Sequence, residues 1–327
     1  MSWNQCVRVT AFMSVMWVGA SIGSAAITIP TVPVGDAGNS ADITGFGSVA
    51  HPYNIATYEV TAGQYTAFLN AVARTDTHNL YNTSMASISV GSGIARALSG
   101  GTYTYSVLPE FENRPVNYIS FWDAARFANW LHNGQPTGSQ DHTTTEDGAY
   151  SLTPEGIASN TVGRNAGAQW AIPSEDEWYK AAFSMGGGTD AGYWLYPTGS
   201  NTTPGSSLVD SAGNNANYYT GAPTYPIDSP FYTTLGGEFQ NSASPYGTFD
   251  QGGNLWEWND SILLGTDRGI RGGSFDCDET FMRATNRRRT LPTNENGDFG
   301  FRVVQIPAPS SVALLTLAGL FASRRRR

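Results

Sequence analysis

Glycine interrupts this chain so often that long regular elements are excluded. Thirty-seven of the 327 residues are glycine, and Asn, Ser and Thr fill much of the sequence between short apolar runs. Glycine inside a helix or strand costs about 0.5–1 kcal/mol relative to alanine, and clusters of such residues mark turns and loops. The apolar fraction of 40% is still enough to bury a sizeable core. The sequence therefore predicts a folded, loop-rich domain with few long helices.

Three short helices are predicted by capping boxes, in which a hydroxyl accepts from one free backbone N–H and an acidic or amide side chain bonds back. The pairs are Thr61 with Gln64, Ser120 with Asp123, and Ser174 with Glu177. Apolar residues follow each box at helical spacing, so each helix has a face to bury. Candidate strands are residues 53–60, 269–275 and 299–304. We expect an α+β architecture in which a few short helices flank small antiparallel sheets under extended loops.

The two ends of the chain have the features of export signals. Arg8 precedes a mostly apolar run of residues 9–22, and small residues at 24–26 suit a cleavage site. Near the C-terminus, a Pro-Ala-Pro segment precedes a short apolar run and four arginines. This order resembles the bacterial PEP-CTERM sorting tail, with Ala308 where that motif has glutamate. The predicted organisation is a signal peptide (1–26), one continuous domain (27–305) and a sorting tail (306–327).

These terminal segments also predict where the protein is located. The apolar run of residues 312–322 is too short to span a bilayer comfortably, and terminal arginines favour the cytoplasmic side. We therefore expect transient membrane association through the tail, and export to the cell surface, periplasm or extracellular space. The alternatives are a buried helix at the N-terminus and a plain, solvated basic end at the C-terminus.

Charge and cysteine content narrow the class of partner. The formal net charge is −9, and five of the 18 basic residues lie in the two terminal segments. So acidic a protein is a poor candidate for binding nucleic acid.

Cys6 lies in the predicted signal peptide, which leaves Cys277 as the single cysteine of the predicted domain. An intramolecular disulfide is then impossible, and stability must come from packing, with bound ions as a possible further source.

Six motifs occur in a fixed order along the chain. They are Glu59-Val60-Thr61, Arg114-Pro115-Val116, Ile172-Pro173-Ser174-Glu175-Asp176-Glu177-Trp178, Gly253-Asn254-Leu255-Trp256-Glu257-Trp258, Arg271-Gly272-Gly273-Ser274 and Gly300-Phe301-Arg302. In this order they resemble the sulfatase-modifying-factor family, whose founding activity is the formylglycine-generating enzyme. The resemblance covers residues 53–304. It implies a C-type-lectin-like fold with little regular structure.

The resemblance also implies a copper(I) site with one ligand replaced. In active members, two cysteines five positions apart bind copper(I) and the thiol of a sulfatase peptide, which oxygen converts to formylglycine. Cys277 matches the first cysteine and Ser274 the nearby serine, but Met282 occupies the second position. A thioether is soft but neutral and binds copper(I) more weakly than a thiolate, and methionine is also a common core filler. A Cys277–Met282 copper site, a packed or merely exposed Cys277 and some other thiol reactivity remain open.

Calcium is the second metal that the resemblance implies. In residues 250–257, the family's ligands would be the side chains of Asp250 and Glu257 and the carbonyls of Gly253 and Leu255. Such hard oxygen ligands suit calcium. The alternative is a tight turn in which Glu257 caps backbone amides. A second family site would begin with Asn217 and the carbonyl of Tyr218.

Two functional interpretations follow from the missing cysteine. In the first, the chain is an exported, calcium-stabilised domain without formylglycine-generating activity, which works as a binding or surface-associated module for a protein or glycan ligand. In the second, it is a copper-dependent oxidase that acts on a sulfatase peptide through Cys277 and a variant second ligand. A structural role in an extracellular matrix is a third possibility, which depends on the sorting tail alone.

Overall fold

The computed structural model describes residues 26–221 and 225–307. Residues 1–25 of the predicted signal peptide and residues 308–327 of the predicted sorting tail lie outside the described residues. Within the described part, no helix is both long enough and apolar enough to cross a membrane.

Short elements alternate along the described residues. The helices are α1 (Ala62–Val72), α2 (Phe121–His132), α3 (Pro154–Ala158) and α4 (Glu175–Phe183). The strands are β1 (Thr31–Val34), β2 (Tyr53–Ala56), β3 (Ile94–Ser99), β4 (Thr102–Val107), β5 (Trp170–Ala171), β6 (Trp256–Leu263), β7 (Asp267–Arg271), β8 (Arg288–Thr290), β9 (Phe299–Gly300) and β10 (Val304–Gln305). The expected α+β class with few, short helices is confirmed.

The strands form three small sheets. One has the order β1-β2-β10-β5, another is the hairpin β3-β4, and the last has the order β8-β7-β6-β9. Their pairings are antiparallel except for β6 with β9, which is parallel. The expectation of small antiparallel sheets is confirmed, apart from this one parallel pair.

The predicted strand 299–304 is in fact split between two sheets. Phe299–Gly300 pairs with β6, whereas Val304–Gln305 pairs with β2 and β5. Between them the carbonyl of Phe301 accepts from Val60 N at 2.9 Å, and the carbonyl of Val303 accepts from Ala56 N at 2.8 Å. This extended segment therefore links the two four-stranded sheets.

The three predicted capping boxes are confirmed, and each begins a helix. Thr61 Oγ1 accepts from Gln64 N at 3.2 Å, and Gln64 Oε1 accepts from Thr61 N at 2.9 Å. The reciprocal bonds are also present in the other two boxes. Because a box satisfies N–H groups that have no partner within the helix, these boxes fix where α1, α2 and α4 begin.

Helix α2 is more deeply buried than an amphipathic surface helix would be. Every residue from Phe121 to Leu131 is buried, including Arg126 and Asn129. The Arg126 guanidinium binds the carboxylate of Glu146 through two bonds of 2.7 Å and 2.8 Å. Asn129 Nδ2 donates to the carbonyls of Thr145 and Tyr150. The long connection after α2 thus folds back over the polar face of the helix.

Aromatic side chains join α1, α2 and the link between the sheets in one core. The ring of Phe127 in α2 lies 5.3 Å from Phe68 of α1 and 5.4 Å from Phe301, centroid to centroid. Trp130 packs on Phe68 at 5.3 Å. Aromatic pairs at these separations contribute about 0.5–1.5 kcal/mol each beyond burial of their surface.

The long connection between α4 and β6 is fixed by buried polar groups. Its described residues contain no named helix or strand. The carboxylate of Asp210 accepts from Asn215 Nδ2 at 2.6 Å, from Asn241 N at 2.7 Å and from Ser242 Oγ at 3.0 Å. Asp210 therefore joins distant parts of this connection.

Candidate functional site

Cys277 follows β7 after a turn whose backbone conformation and close packing favour glycine. Gly272 and Gly273 have φ values of +100° and +74°, in a region that side chains disfavour. A Cβ on Gly272 would lie 2.8 Å from the carbonyl oxygen of Gln251. The turn therefore brings the Cys277 segment against the predicted calcium loop, residues 250–257.

The thiol of Cys277 lies beside Ser274 and Asp298. Ser274 Oγ is 3.4 Å from Cys277 Sγ and donates to Asp298 Oδ2 at 3.0 Å. Burial raises the pKa of the Cys277 thiol, and the Asp298 carboxylate raises it further, outweighing the hydrogen bonds to Ser274. Since the thiolate is both the nucleophile and the metal ligand, this environment favours the less reactive, protonated form.

Asp298 is a site residue that the sequence did not predict. It lies 21 positions after Cys277 and just before β9. Burial raises the pKa of its carboxyl group as well. The sequence spacing does not predict that Asp298 lies near Cys277. The contact between Asp298 and Ser274 depends on the parallel pairing of β9 with β6.

Met282 is almost completely buried and packs in an apolar cluster. It ends the one-turn 3₁₀ helix Glu279–Met282 and is 1% exposed. Its neighbours in the cluster are Tyr196, Ala216 and Tyr218. Cys277 packs against the main hydrophobic core instead. The two sulfur-bearing side chains at the family's cysteine positions thus belong to different apolar clusters.

In the predicted calcium loop, Glu257 is buried and Asp250 is half-buried, and both side chains are already hydrogen-bonded. Asp250 Oδ2 accepts from Gly237 N at 2.9 Å, and Oδ1 lies 3.4 Å from Thr234 Oγ1. The Glu257 carboxylate accepts from Arg302 and from Trp178 Nε1. In the described residues, no group of three or more His, Cys, Asp or Glu side chains is arranged to hold a metal ion.

Negative charge nevertheless exceeds positive charge around Arg302. The buried carboxylates of Glu59 and Glu257 and the half-buried carboxylate of Asp250 all interact with this one guanidinium. Burial, followed by repulsion from Asp250 and Glu257, raises the pKa of Glu59 well above its ordinary value. Burial also raises the pKa of Asp250 to about 6. Protons or a bound cation must balance this excess charge.

The two predicted calcium segments touch each other. Gly253 has φ +75°, and a Cβ at this position would lie 2.1 Å from the carbonyl oxygen of Asn217. Asn254 N donates to that same carbonyl at 2.7 Å. Asn217 Oδ1 is buried, and no described residue donates a hydrogen bond to it. Tyr218 follows directly, and its hydroxyl donates to the carbonyl of Pro204 at 2.7 Å.

Asn254 connects these groups and was not predicted as a site residue. It is 0% exposed, and its Nδ2 lies 3.0 Å from each carboxylate oxygen of Glu59. Its Oδ1 accepts from Asn217 Nδ2 at 3.2 Å and from Thr234 N at 3.0 Å. Its position in the Gly-Asn-Leu-Trp-Glu-Trp motif could have indicated that Asn254 belongs to the site. The motif does not indicate which residues it contacts.

In the part of the chain that the structure describes, three small sheets, four short helices and long connections surround this site. They define a C-type-lectin-like domain of the formylglycine-generating-enzyme type. The family model described as "Sulfatase-modifying factor enzyme 1-like domain" matches residues 40–306. The chain belongs to this family, as the order of the six motifs indicated.

Two solved structures are similar in fold. The structure titled "Crystal Structure of CarF" has a TM-score of 0.52 and 18% identity, and the match covers 86% of this chain and 99% of that chain. "Treponema denticola variable protein 1" has a TM-score of 0.50 and 17% identity, covering 87% and 97%. At these identities the likeness supports the fold alone. No curated protein sequence matches this chain significantly.

Proposed function

We propose that this chain is an exported binding module of the family that lacks formylglycine-generating activity. The observation that carries the proposal is the burial of Met282 among Tyr196, Ala216 and Tyr218, at the position of the second copper cysteine. A side chain that fills a core gap contributes to stability through packing, and methionine is well suited to this use.

The residues present do not fit a copper(I) centre. A two-thiolate site provides two anionic soft donors, whereas this chain offers one thiol and one neutral thioether. Burial and Asp298 raise the pKa of the Cys277 thiol, which disfavours the form that binds metal. The chemistry of the donor set therefore favours a scaffold without copper.

Calcium fits the proposal better, as a structural ion. Asn217 Oδ1 is a buried oxygen without a described hydrogen-bond donor, and such an atom normally has a partner. The carboxyl groups of Asp250 and Glu257 share the single guanidinium of Arg302, and Asn254 connects Asn217 with Glu59. A calcium ion held by Asn217 and the carbonyl of Tyr218, or by the loop of Asp250, would supply the missing positive charge. Its role would be to stabilise the loops.

The proposed ligand is a protein or a glycan outside the cytoplasm. The signal-like N-terminus and the sorting-tail-like C-terminus support export and transient association with the membrane. The net charge of −9 argues against nucleic acid as the ligand.

A peptide-oxidation assay tests the loss of activity. The purified domain is incubated with copper(I), oxygen and a peptide containing Cys-x-Pro-x-Arg, and the aldehyde is measured by mass spectrometry. We expect no aldehyde above the level of Cys277→Ser, the matched control. Aldehyde formed by the wild-type domain and abolished by Cys277→Ser would establish the alternative, a variant copper oxidase.

A further inference from the structure

A cleft of about 590 Å³ lies at the edge of the sheet that contains β6, β7 and β8. It is lined by Leu263, Asp267 and the five consecutive residues from Arg287 to Leu291. None of these residues is a predicted copper or calcium ligand. The volume is within the range of ligand-binding clefts, about 300–1,000 Å³.

Three consecutive arginines give this cleft a positive charge in an otherwise acidic protein. Arg287 binds Glu175 through bonds of 2.8 Å and 2.6 Å, and Arg289 pairs with Asp267. Arg288 lies over the ring of Phe281, 4.8 Å from its centroid, and forms no ion pair with a described carboxylate. The two paired guanidiniums are therefore held in place, while the charge of Arg288 is free for a partner.

The arginines belong to a strand with an open edge. In the described sheet, β8 pairs with β7 on one side and is the last strand on the other. Such an edge presents backbone N–H and C=O groups that another extended chain can use. Addition of a peptide strand to an exposed edge is a recurring mode of recognition.

Charged residues on an edge strand often serve only to prevent aggregation, but the surroundings of β8 favour a docking role. Ile262, Leu264 and Leu291 are 42%, 77% and 50% exposed, and Leu291 lines the cleft itself. Protection of an edge requires charge but no exposed aliphatic side chains. The combination of charge, open backbone and apolar flanks matches a strand with alternating acidic and aliphatic residues.

We propose that this cleft binds an extended acidic peptide segment, which pairs with the free edge of β8. Its carboxylates lie on one face of the added strand and face Arg288, and its aliphatic side chains lie on the other face. Its aliphatic side chains contact Leu263 and Leu291. The inference goes beyond the proposed function, because it assigns a class of ligand to residues other than Cys277, Met282 and the predicted calcium ligands.

Fluorescence anisotropy with a labelled peptide of alternating valine and glutamate tests this proposal. The wild-type domain should bind the peptide, and a version with lysine in place of glutamate should not bind. Arg288→Glu should raise the Kd at least about tenfold, because like charges would then face each other across the interface. Arg74→Glu is the matched control, since Arg74 is also exposed but follows α1; this variant should bind like wild type.

Two further measurements separate strand pairing from general attraction of anions. A peptide with N-methylated backbone amides at alternate positions keeps its charge but loses ladder hydrogen bonds, and it should bind at least about tenfold more weakly. Equal binding of the methylated peptide, or equal binding by Arg288→Glu, would overturn the proposal. Displacement of the peptide by heparin as readily as by unlabelled peptide would also overturn it. The result is independent of the aldehyde assay.

Discussion

Glu257 and Arg302 form a completely buried ion pair in which two nearly parallel hydrogen bonds, of 2.6 Å and 2.7 Å, join the guanidinium to the carboxylate. Trp178 Nε1 donates to the same carboxylate at 2.8 Å. The other donors of Arg302 reach the carbonyls of Ala56 at 3.0 Å and Phe249 at 2.9 Å. The pair thus connects β2, α4, β6 and the segment that links the two four-stranded sheets.

Removal of the cation from this pair should be strongly destabilising. Arg302→Met leaves Glu257 buried without its partner, next to Glu59 and Asp250, and should lower the free energy of unfolding by about 3–5 kcal/mol. Urea titration followed by tryptophan fluorescence measures the change. The exposed Arg74 provides the control, because Arg74→Met should change stability by less than about 0.5 kcal/mol. Equal stability of the two variants would contradict this account of the pair.

The packing of Met282 leads to a comparison of two substitutions. Met282→Ala should cost about 2–5 kcal/mol of stability, because it empties a well-packed site. Met282→Leu nearly conserves volume and should cost less than about 1.5 kcal/mol. Copper(I) affinity, measured by competition with a chromogenic chelator, should be the same for wild type and Met282→Leu. A marked loss of affinity in Met282→Leu would identify the thioether as a ligand.

Local features of the sequence predicted local structure well. Each capping box involves residues three positions apart, such as Thr61 and Gln64, so its physical cause lies within one short segment. The predicted strand 53–60 was too long, because beyond Ala56 the chain bonds to Phe301 rather than continuing a ladder. The hairpin of β3 and β4 was not predicted. Its stability depends in part on distant contacts, such as the 2.9 Å bond from Asn70 Nδ2 in α1 to the carbonyl of Tyr105.

In the candidate site too, the sequence predicted local features but not long-range contacts. The motifs identified Cys277, Met282 and Glu257, because each is defined by its neighbours in sequence. Their partners could not be inferred in this way. Asp298, just before β9, reaches Ser274 because β9 pairs with β6. Arg302, in the segment between β9 and β10, binds Glu257 of β6. Whether a carboxylate is free for calcium depends on such partners, so the ligand assignments remain predictions.

The second capping box should make stability depend on pH. Burial, and then repulsion from Glu295, raises the pKa of Asp123 to about 7 from an ordinary 3.8, despite Ser120 and Arg126. The folded state prefers the protonated form of Asp123. The contribution of this group to the free energy of unfolding is therefore complete below about pH 4 and is lost as pH rises towards 7.

Asp123→Asn tests this assignment, since an amide keeps the acceptor for Ser120 N but cannot ionise. Wild type should lose stability relative to Asp123→Asn by up to about 4 kcal/mol between pH 4 and pH 7. Urea titrations at a series of pH values measure the difference. Parallel pH profiles of the two proteins would show that Asp123 does not titrate in this range.

Calcium should stabilise the fold if Asn217 is a ligand. At a hundredfold excess of calcium over its Kd, stability should rise by about 2.7 kcal/mol, and chelation should remove this increment. Asn217→Ala should abolish this increment. The variant also loses the hydrogen bond from Asn217 Nδ2 to the carbonyl of Tyr232. Tyr218→Phe keeps the main-chain carbonyl, so this variant should retain the calcium-dependent increment in stability. Thermal unfolding with calcium and with chelator measures both effects, and an unchanged wild-type melting temperature would exclude a stabilising calcium ion.

The contact between Gly253 and Asn217 should be the least tolerant point of the two predicted calcium segments. Gly253 and Gly265 share the same φ of +75°, but a Cβ on Gly265 would have no atom within 4 Å. Gly265→Ala should therefore cost only the backbone strain, about 1–2 kcal/mol. Gly253→Ala must also displace the Asn217 carbonyl, and it should cost at least about 2 kcal/mol more. Urea titration measures both costs; equal costs would show that the Asn217 carbonyl moves freely, which a rigid ion site between these segments would not permit.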